Sequence, residues 1–189
     1  MIPYIHAIDE FFPDYEFELI RSYAQTLTYK PVVAPFDGQT YPNIGLPVPP
    51  AVEERLAINL TWLMGYKVMP VYTAFRLSIE GSNPPQWAHS DAEVSKFGMF
   101  VYLNDGPGGT VALKHKRSGM CLHPCTEHEL ELWRQDYDNM DEWEIQARID
   151  CKANRAVLLR SEVIHAALPK HGFGKDVTDG RLILLAFFD

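Results

Sequence analysis

The spacing of hydrophobic residues changes near residue 66, and this change divides the chain into two parts. In the first part, apolar residues recur every three to four positions in two segments, which is the pattern of amphipathic helices. The first helix is predicted to begin near Pro13 and the second at Pro50, because proline is tolerated at the first helical position. Gly65 is suited to end the second helix. Residues 30–50, between the helices, are rich in Pro and Gly and are interpreted as a long loop.

The second part, residues 67–189, contains short apolar or alternating runs separated by Gly, Pro and Asp. These runs predict a mainly β fold, in which antiparallel strands form a sandwich or barrel packed on the flanking α-helices. The runs are YKVMPVYTAFRLSIEG, KFGMFVYLND, TVALKHK, IQARIDCK, RAVLLRSEVIHAAL and GRLILLAFFD. An acidic segment at about residues 114–150 has a partly helical period and is interpreted as an insertion between strands. We expect one domain over residues 1–189, in which residues 1–66 supply the N-terminal helices and loop.

Composition and charge exclude some classes of function. The chain is 47% hydrophobic and 22% charged, which is typical of a globular protein. It has no apolar run near the ~18–20 residues that span a bilayer, so we expect no membrane association. The net charge of -8 disfavours binding to nucleic acid, which depends on Lys and Arg contacts with phosphate. An odd number of cysteines and an N-terminus without a basic region favour a reducing, cytoplasmic location.

The stretch CLHPCTEH places two cysteines and two histidines within eight residues. Cys121, His123, Cys125 and His128 therefore form a candidate zinc site. However, the spacing C-x-H-x-C-x-x-H does not match the usual zinc-binding pairs, and Pro124 stiffens its middle. A loop with buried or free thiols is the favoured interpretation.

A second group of candidate ligands begins in the stretch QWAHSD. In extended backbone, residues i and i+2 point to the same side, so His89 and Asp91 are expected to converge if this stretch is a strand. His165, on a later predicted strand, offers a third ligand. Two histidines and one carboxylate, with the other metal positions open, are typical of non-haem Fe(II) oxygenases. The alternatives are a solvated turn for His89 and Asp91 and an ordinary core or surface role for His165.

Arg181 opens the last predicted strand, whose same face is otherwise apolar. A buried cation is costly unless it meets an anion, and the carboxylate of a dicarboxylate co-substrate would supply one. Arg is suited to this role because it grips a carboxylate through two parallel hydrogen bonds. The alternative is that Arg181 pairs with an internal acid such as Asp179 or Glu162.

Four pieces between Tyr72 and Phe188 resemble the Fe(II)/2-oxoglutarate-dependent dioxygenases, specifically the prolyl-hydroxylase-like branch. The pieces occur in the family's order and are FRLSIEGSNPPQWAHSD, YLNDGPGGT, NRAVLLRSEVIHAALP and DGRLILLAFF. The resemblance implies a double-stranded β-helix core, which is a jelly roll like that of the cupins. It also implies an enzyme that uses Fe(II), O₂ and 2-oxoglutarate as co-substrate.

The resemblance assigns roles to single residues. It implies that His89, Asp91 and His165 bind iron and that Arg181 holds the distal carboxylate of 2-oxoglutarate. Tyr102 occupies a position where the family often has a tyrosine near this carboxylate, although a role as a core aromatic is equally compatible with the sequence. The chain departs from the pattern in having Ser78-Ile79 where relatives often have a second tyrosine, and in a long gap before Arg181 that makes Lys175 a rival for the carboxylate.

Because halogenating relatives replace the iron-binding carboxylate with a small residue, Asp91 favours hydroxylation or a related oxidation. Arg76 and Trp87 are candidate residues of the substrate pocket. We expect the loop at 31–49 and the insertion at 114–150 to form its walls, since loops on a rigid scaffold usually carry specificity. The aromatic residues of this region either line a groove or form a small core of their own; they are Trp87, Trp133, Tyr137 and Trp143.

The expected substrate is a peptide, an amino acid or a small molecule. Two other functions stay open on the sequence. One is a cupin-like metalloenzyme that does not use 2-oxoglutarate, and the other is a non-catalytic jelly-roll binding module whose histidines are incidental.

Overall fold

The computed structural model describes residues 5–36, 38–82 and 86–189. Within these ranges the chain forms three α-helices and ten β-strands, and the strands form two antiparallel sheets. The predicted mainly β architecture with flanking helices is therefore confirmed. None of the three helices combines the length and the apolar character that crossing a lipid bilayer requires.

The two predicted N-terminal helices are present as α1, Asp14–Thr26, and α2, Pro50–Met64. Pro13 directly precedes α1 rather than opening it, whereas Pro50 is the first residue of α2 as predicted. Gly65 ends α2 in the left-handed conformation, with φ 74°, which glycine adopts without steric cost. The buried side chains of both helices pack on one face of the larger sheet; they are Phe17, Ile20, Ala24, Leu56 and Leu60.

The larger sheet has seven strands and the smaller sheet has three. From edge to edge, the larger sheet consists of β1 (Ile5–Ile8), β8 (Ala156–Arg160), β5 (Phe97–Tyr102), β10 (Arg181–Phe188), β4 (Pro70–Ser78), β3 (Thr40–Gly45) and β2 (Lys30–Val33). The smaller sheet consists of β7 (Trp143–Asp150), β6 (Gly109–His115) and β9 (His165–Leu168). The run predicted around residues 155–168 is thus divided, because a polar turn sends β8 and β9 to different sheets.

The central strand β10 is buried along both faces. Because side chains alternate across a strand, the even-numbered residues from Leu182 to Phe188 pack with the helices in one cluster. The odd-numbered residues from Ile183 to Phe187 face the other way and belong to a second cluster. This second face, together with residues of β6 and β9 from the smaller sheet, encloses a cavity.

The interpretation of residues 30–50 as a loop is wrong, because this segment contains the hairpin of β2 and β3. Ile44 of β3 pairs with Arg76 of β4, so the hairpin extends the larger sheet. Prolines conceal this pattern in the sequence. Pro31 lies in the edge strand β2, where a missing N–H is tolerated, and Pro42 lies at the register shift of the hairpin. The short strand β1 is a further element that the sequence pattern did not predict.

The insertion is narrower than the predicted range of about 114–150, because β6 continues to His115 and β7 begins at Trp143. The intervening segment, residues 116–142, contains the helix α3, Glu127–Asp136. The N-terminus of α3 is closed by a capping box, in which Thr126 and Glu129 satisfy each other's backbone N–H groups. This segment connects two neighbouring strands of the smaller sheet, so both of its ends are held close together.

Candidate active site

His89, Asp91 and His165 converge in the cavity between the sheets, and their ligand atoms all lie within 4.8 Å of one another. His165 Nε2 lies 3.4 Å from Asp91 Oδ2, and His89 Nε2 lies 4.0 Å from Asp91 Oδ1. His165 begins β9. His89 was expected to lie in a strand, but it lies outside the regular strands. Instead, His89 forms an isolated antiparallel bridge with His165, in which each backbone N–H donates to the other residue's carbonyl.

Both histidine rings are oriented by backbone carbonyl groups. Nδ1 of His89 lies 3.0 Å from the carbonyl oxygen of Trp87, and Nδ1 of His165 lies 2.9 Å from that of Val163. Since a carbonyl can only accept, each Nδ1 carries the proton and each Nε2 keeps a free lone pair. A hydrogen bond of this kind is the usual support of a metal-binding histidine. The three side chains therefore suit a divalent metal ion.

Burial, and after it the neighbouring His165, lower the pKa of His89 to about 4 against the opposing effect of Asp91. A histidine with this pKa is neutral at pH 7. Neutral imidazole is the form that binds metal ions, so the site does not need to expel a proton from His89 before binding.

The cavity beside this group, which we call the inner cavity, has a volume of about 80 Å³. Its walls are mainly apolar, and the odd-numbered side chains of β10 form one of them. Its charged or titratable lining residues in the described part of the chain are Arg76, His89, Asp91, His165 and Arg181, together with the phenols of Tyr41, Tyr72 and Tyr102. These walls give the candidate metal-binding group of His89, Asp91 and His165 a largely apolar surrounding on this side.

Arg181 lies at the inner cavity and is only 8% exposed. Its Nη2 donates to Ser78 Oγ at 3.2 Å, while its buried Nε has no hydrogen-bond partner among the described residues. Neither of the two acids that the sequence offered as partners for this charge pairs with Arg181. Asp179 instead accepts hydrogen bonds from the backbone at Lys175 and Asp176, and Glu162 pairs with Arg160. The guanidinium is therefore buried without an acidic partner among the residues that the structure describes.

Lys175, the rival for the same anion, is exposed and does not line the inner cavity. Ser78, in contrast, lies opposite Arg181 on the neighbouring strand β4. In the sequence, Ser78 was notable only because relatives of the resembled family often have a tyrosine at this position. Its register with Arg181 places a hydroxyl donor next to the same guanidinium.

Tyr102 is buried at the inner cavity, and its hydroxyl lies 2.7 Å from Thr110 Oγ1. Burial raises the pKa of Tyr102 to about 12, so the phenol is protonated at neutral pH. Thr110 also lines the cavity and was not singled out in the sequence, although it ends the Gly108-Gly109-Thr110 turn. Together the two residues place hydroxyl groups on the same cavity as Arg181.

A second, outer cavity of about 350 Å³ adjoins the inner one. The residues that line both cavities are Phe36, Tyr41, Arg76, His89 and Asp91. One wall of the outer cavity comes from the β2–β3 segment and another from the insertion, which contributes Leu130, Trp133 and Arg134. His89 and Asp91, two of the three candidate metal ligands, thus lie at the junction of the two cavities.

The candidate aromatic residues divide between this wall and a small core. Trp133 lines the outer cavity, and its indole N–H donates to the carbonyl oxygen of Ala88 at 2.9 Å. Trp87 and Trp143 are buried together in a separate cluster. Trp87 borders a smaller side cavity together with Arg76 and His89 and does not line the outer cavity. Tyr137 packs against Trp133, with ring centroids 5.7 Å apart.

The cysteine- and histidine-rich stretch does not form a metal-binding group in the described part of the chain. Cys121 and Cys125 are exposed, and His123 Nδ1 lies 2.7 Å from Ser90 Oγ, next to the candidate iron ligands. His128 lies in α3 and not in the loop that carries the two cysteines.

A second group with metal-ligand geometry lies under the insertion and consists of His115, Asp136 and Glu142. His115 Nε2 lies 3.0 Å from Asp136 Oδ2, and Arg117 forms ion pairs with both carboxylates. The indole N–H of Trp143 also donates to the carbonyl oxygen of Asp136. Arg117 offsets one of the two negative charges, and its ion pairs together with the contacts of His115 and Trp143 anchor the end of α3 to the smaller sheet.

Comparison of the sequence with protein-family models and with curated proteins finds no match. The fold, however, is similar to solved structures of iron- and 2-oxoglutarate-dependent enzymes. The α-ketoglutarate-dependent epimerase SnoN from nogalamycin biosynthesis matches with a TM-score of 0.60 and 15% identity, over 98% of this chain and 77% of SnoN.

Two further structures match over the same share of this chain. Iron-bound HygX from Streptomyces hygroscopicus has a TM-score of 0.60 and 14% identity, with 81% of HygX covered. EctD from S. alaskensis has a TM-score of 0.56 and 16% identity, with 72% of EctD covered. HygX has also been solved with nickel and 2-oxoglutarate bound. The predicted jelly-roll core is therefore confirmed: this chain has the fold of the iron- and 2-oxoglutarate-dependent oxygenases.

Proposed function

We propose that this protein is an Fe(II)- and 2-oxoglutarate-dependent oxygenase that hydroxylates an organic substrate. The observation that carries the proposal is the pairing of two features in one cavity. His89, Asp91 and His165 offer two imidazole nitrogens and one carboxylate to a metal, and Arg181 offers a buried guanidinium that has no acidic partner within the described residues. A metal that keeps open positions and a dicarboxylate that chelates it would satisfy both.

The donor set fits iron, because two imidazoles and one carboxylate leave room for three further ligands in octahedral geometry. When bound, Fe(II) couples the decarboxylation of 2-oxoglutarate by O₂ to the oxidation of the substrate. The protein's own part is to hold and orient the reactants and to exclude water. The backbone bridge between His89 and His165 fixes two ligands relative to each other, and the apolar walls of the inner cavity keep water out.

The distal carboxylate of 2-oxoglutarate is assigned to Arg181. The free Nε and the Nη2 atom of Arg181 are donors on a planar group, which suits a two-pronged contact with a carboxylate. Tyr102 and Thr110 add hydroxyl groups at the inner cavity, and Ser78, which borders the side cavity, adds one beside Arg181. Protonated at neutral pH, the phenol of Tyr102 can donate its hydrogen to the anion.

Hydroxylation is favoured over halogenation because Asp91 is present. A halide bound to the metal needs the position that this carboxylate occupies. The structural neighbours differ in outcome, since SnoN is named an epimerase. The presence of Asp91 therefore supports hydroxylation or a related oxidation, the outcomes that leave this carboxylate on the metal. A small molecule, amino acid or peptide is the proposed substrate class, because the net charge of -8 disfavours nucleic acid.

An anaerobic titration tests the proposal against its alternatives. Fe(II) is added to the metal-free protein under nitrogen, followed by 2-oxoglutarate, and the visible absorption of the metal–2-oxoglutarate charge transfer is recorded. We expect stoichiometric metal binding and a coloured complex with 2-oxoglutarate. Metal binding without 2-oxoglutarate binding would favour a cupin-like metalloenzyme. Binding of neither would favour a non-catalytic binding module.

A further inference from the structure

Arg76 is a second cation at the metal-binding group, and the proposed chemistry leaves it without a role. It lies on β4, two residues before Ser78 and opposite Ile183 of β10. Because alternate residues of a strand share a face, Arg76 points to the same side of the sheet as Ser78. The two guanidiniums, Arg76 and Arg181, therefore belong to one cavity, where each disfavours the charge of the other unless anions are present.

The contacts of Arg76 do not include an acid. Its guanidinium carbon lies 5.6 Å from the ring centroid of Tyr41, and it forms no ion pair within the described residues. Burial lowers the pKa of Arg76 to about 10, and Arg181 contributes to the shift. The side chain is nevertheless protonated at pH 7. Tyr41 and the carboxylate of Asp91 oppose this shift, but Asp91 forms no ion pair with Arg76 and is itself one of the candidate metal ligands.

Arg76 differs from Arg181 in reaching the outer cavity, although both arginines also border the small side cavity near His89. Arg76 lines both the inner and the outer cavity, whereas Arg181 lines the inner cavity and does not line the outer one. His89 and Asp91 are also shared by both cavities, so Arg76 lies on the side of the metal-binding group that faces the outer cavity. This is the side from which a substrate would approach.

The charges of the inner cavity are not balanced by 2-oxoglutarate. A divalent metal and two guanidiniums outweigh the single carboxylate of Asp91 by three charges, with the histidines neutral. The 2-oxoglutarate dianion offsets two of them, and one positive charge remains. The outer cavity adds one acid, Glu93, and one further arginine, Arg134, which forms an ion pair with Glu127 at 3.6 Å.

We infer that Arg76 binds an anionic group of the substrate, so that the enzyme acts on a small carboxylate with an apolar body. This inference rests on the proposed function and deepens it. The guanidinium would hold the carboxylate at the junction of the cavities, next to the metal. The body of the substrate would lie in the outer cavity, against the aromatic side chains of Phe36, Tyr41 and Trp133.

The test uses probe acids and their uncharged amides. Wild-type protein is saturated with Ni(II), which is redox-inert here, and with 2-oxoglutarate, so that Arg181 is occupied. Binding of phenylacetate, phenylacetamide, hexanoate and hexanamide is then measured by calorimetry. We expect each acid to bind at least tenfold more tightly than its amide. In Arg76→Gln the preference is lost, and in Arg76→Lys it is reduced but retained.

Two controls separate this role from others. Arg134→Gln removes a cation of the outer cavity whose side chain is 55% exposed, and we expect less than a twofold effect on acid binding. The affinity for 2-oxoglutarate in Arg76→Gln should stay within threefold of wild type, whereas Arg181→Gln should lower it at least tenfold. Equal losses in the two variants would assign Arg76 to the co-substrate and overturn the inference.

The remaining outcomes are also decisive. If wild type takes up Ni(II) and 2-oxoglutarate but neither acid binds better than its amide, the substrate is not recognised through its charge and this inference alone fails. It also fails if the preference for the acids survives in Arg76→Gln. If wild type does not take up 2-oxoglutarate at all, the proposed function fails and this inference fails with it.

Discussion

His89 and His165 exchange two backbone hydrogen bonds, of 3.0 and 2.8 Å, although they are far apart along the chain. Their rings lie 4.4 Å apart between centroids, and both Nε2 atoms lie within reach of Asp91. Outside this one bridge, His89 belongs to no strand. His89 is therefore held by the backbone of β9 and not by a strand of its own, whereas the backbone N–H of Asp91 donates to the carbonyl oxygen of Ser161.

The first prediction concerns the metal ligands. We expect His89→Ala and Asp91→Ala to lower the affinity for Fe(II) at least 100-fold, because each removes one of three ligands from the only group of this kind at the cavity in the described residues. Anaerobic titration measures the affinity, and thermal unfolding shows that the variants are folded. His123→Ala is the control, since His123 contacts Ser90 beside the group but is not a member of it. Full Fe(II) affinity in both ligand variants would refute the assignment.

The second prediction concerns the co-substrate anchor. Arg181→Lys keeps the charge but loses the planar two-pronged geometry, so we expect 2-oxoglutarate to bind at least tenfold more weakly. Ser78→Ala should have a smaller effect of a few-fold, because it removes only one neighbouring hydroxyl. Calorimetry with the Ni(II)-loaded protein measures both. Lys175→Ala, at an exposed position, should change the affinity less than twofold; the reverse ranking would transfer the role to Lys175.

The third prediction separates a binding role of Tyr102 from a packing role. Tyr102→Phe retains the ring and removes the hydroxyl that contacts Thr110 at 2.7 Å. We expect 2-oxoglutarate to bind several-fold more weakly, while stability falls by only about 1 kcal/mol, the usual net value of one hydrogen bond. Urea unfolding and calorimetry provide the two readouts. A loss of stability without any change in 2-oxoglutarate affinity would leave Tyr102 as a core aromatic.

The fourth prediction concerns the wall that the insertion contributes to the outer cavity. Trp133→Ala opens this wall, so we expect Fe(II) and 2-oxoglutarate affinities to stay within threefold of wild type while decarboxylation of 2-oxoglutarate without substrate rises as water enters. Succinate formation measures this reaction. Trp133→Phe, which keeps an aromatic side chain there, serves as the matched control. Loss of the metal in Trp133→Ala would instead show that the indole contact with Ala88 supports the metal-binding group.

The fifth prediction concerns the anchor of the insertion. Burial opposes the charge of Asp136, but hydrogen bonds from Arg117 and His115 outweigh it, and the pKa of Asp136 is lowered. A lowered carboxyl pKa stabilises the fold at pH values above the ordinary value of 3.8, and this contribution is lost as the pH falls through the lower folded value. We expect Asp136→Asn to destabilise the protein by about 1–3 kcal/mol at pH 7.

Urea unfolding at several pH values checks this prediction. The difference between wild type and Asp136→Asn should be constant from about pH 7 to pH 5 and should narrow below about pH 4. Asp138→Asn is the control, because the Asp138 side chain is 62% exposed and pairs with Lys170 near the surface. A difference that grows toward low pH would contradict the sign of the effect.

The elements that could be predicted from the amino-acid sequence are those whose pattern is local. Helical periodicity together with Pro50 and Gly65 located both ends of α2, and two-residue alternation placed Arg181 on the same side as the other odd-numbered residues of β10. The candidate ligands His89 and Asp91 were also visible, because an i, i+2 pair is a local pattern. Each of these inferences needs only the geometry of one helix or one strand.

What these elements contact depends on the tertiary structure. The hairpin of β2 and β3 was missed because its prolines weaken the strand pattern, and its pairing with β4 is a long-range contact. Ser78 and Thr110 acquire their positions at the cavity through Arg181 and Tyr102, which other strands bring beside them. Whether a buried arginine has an acidic partner is likewise a property of the whole fold, since any of the acidic residues of the chain is a candidate until packing excludes it.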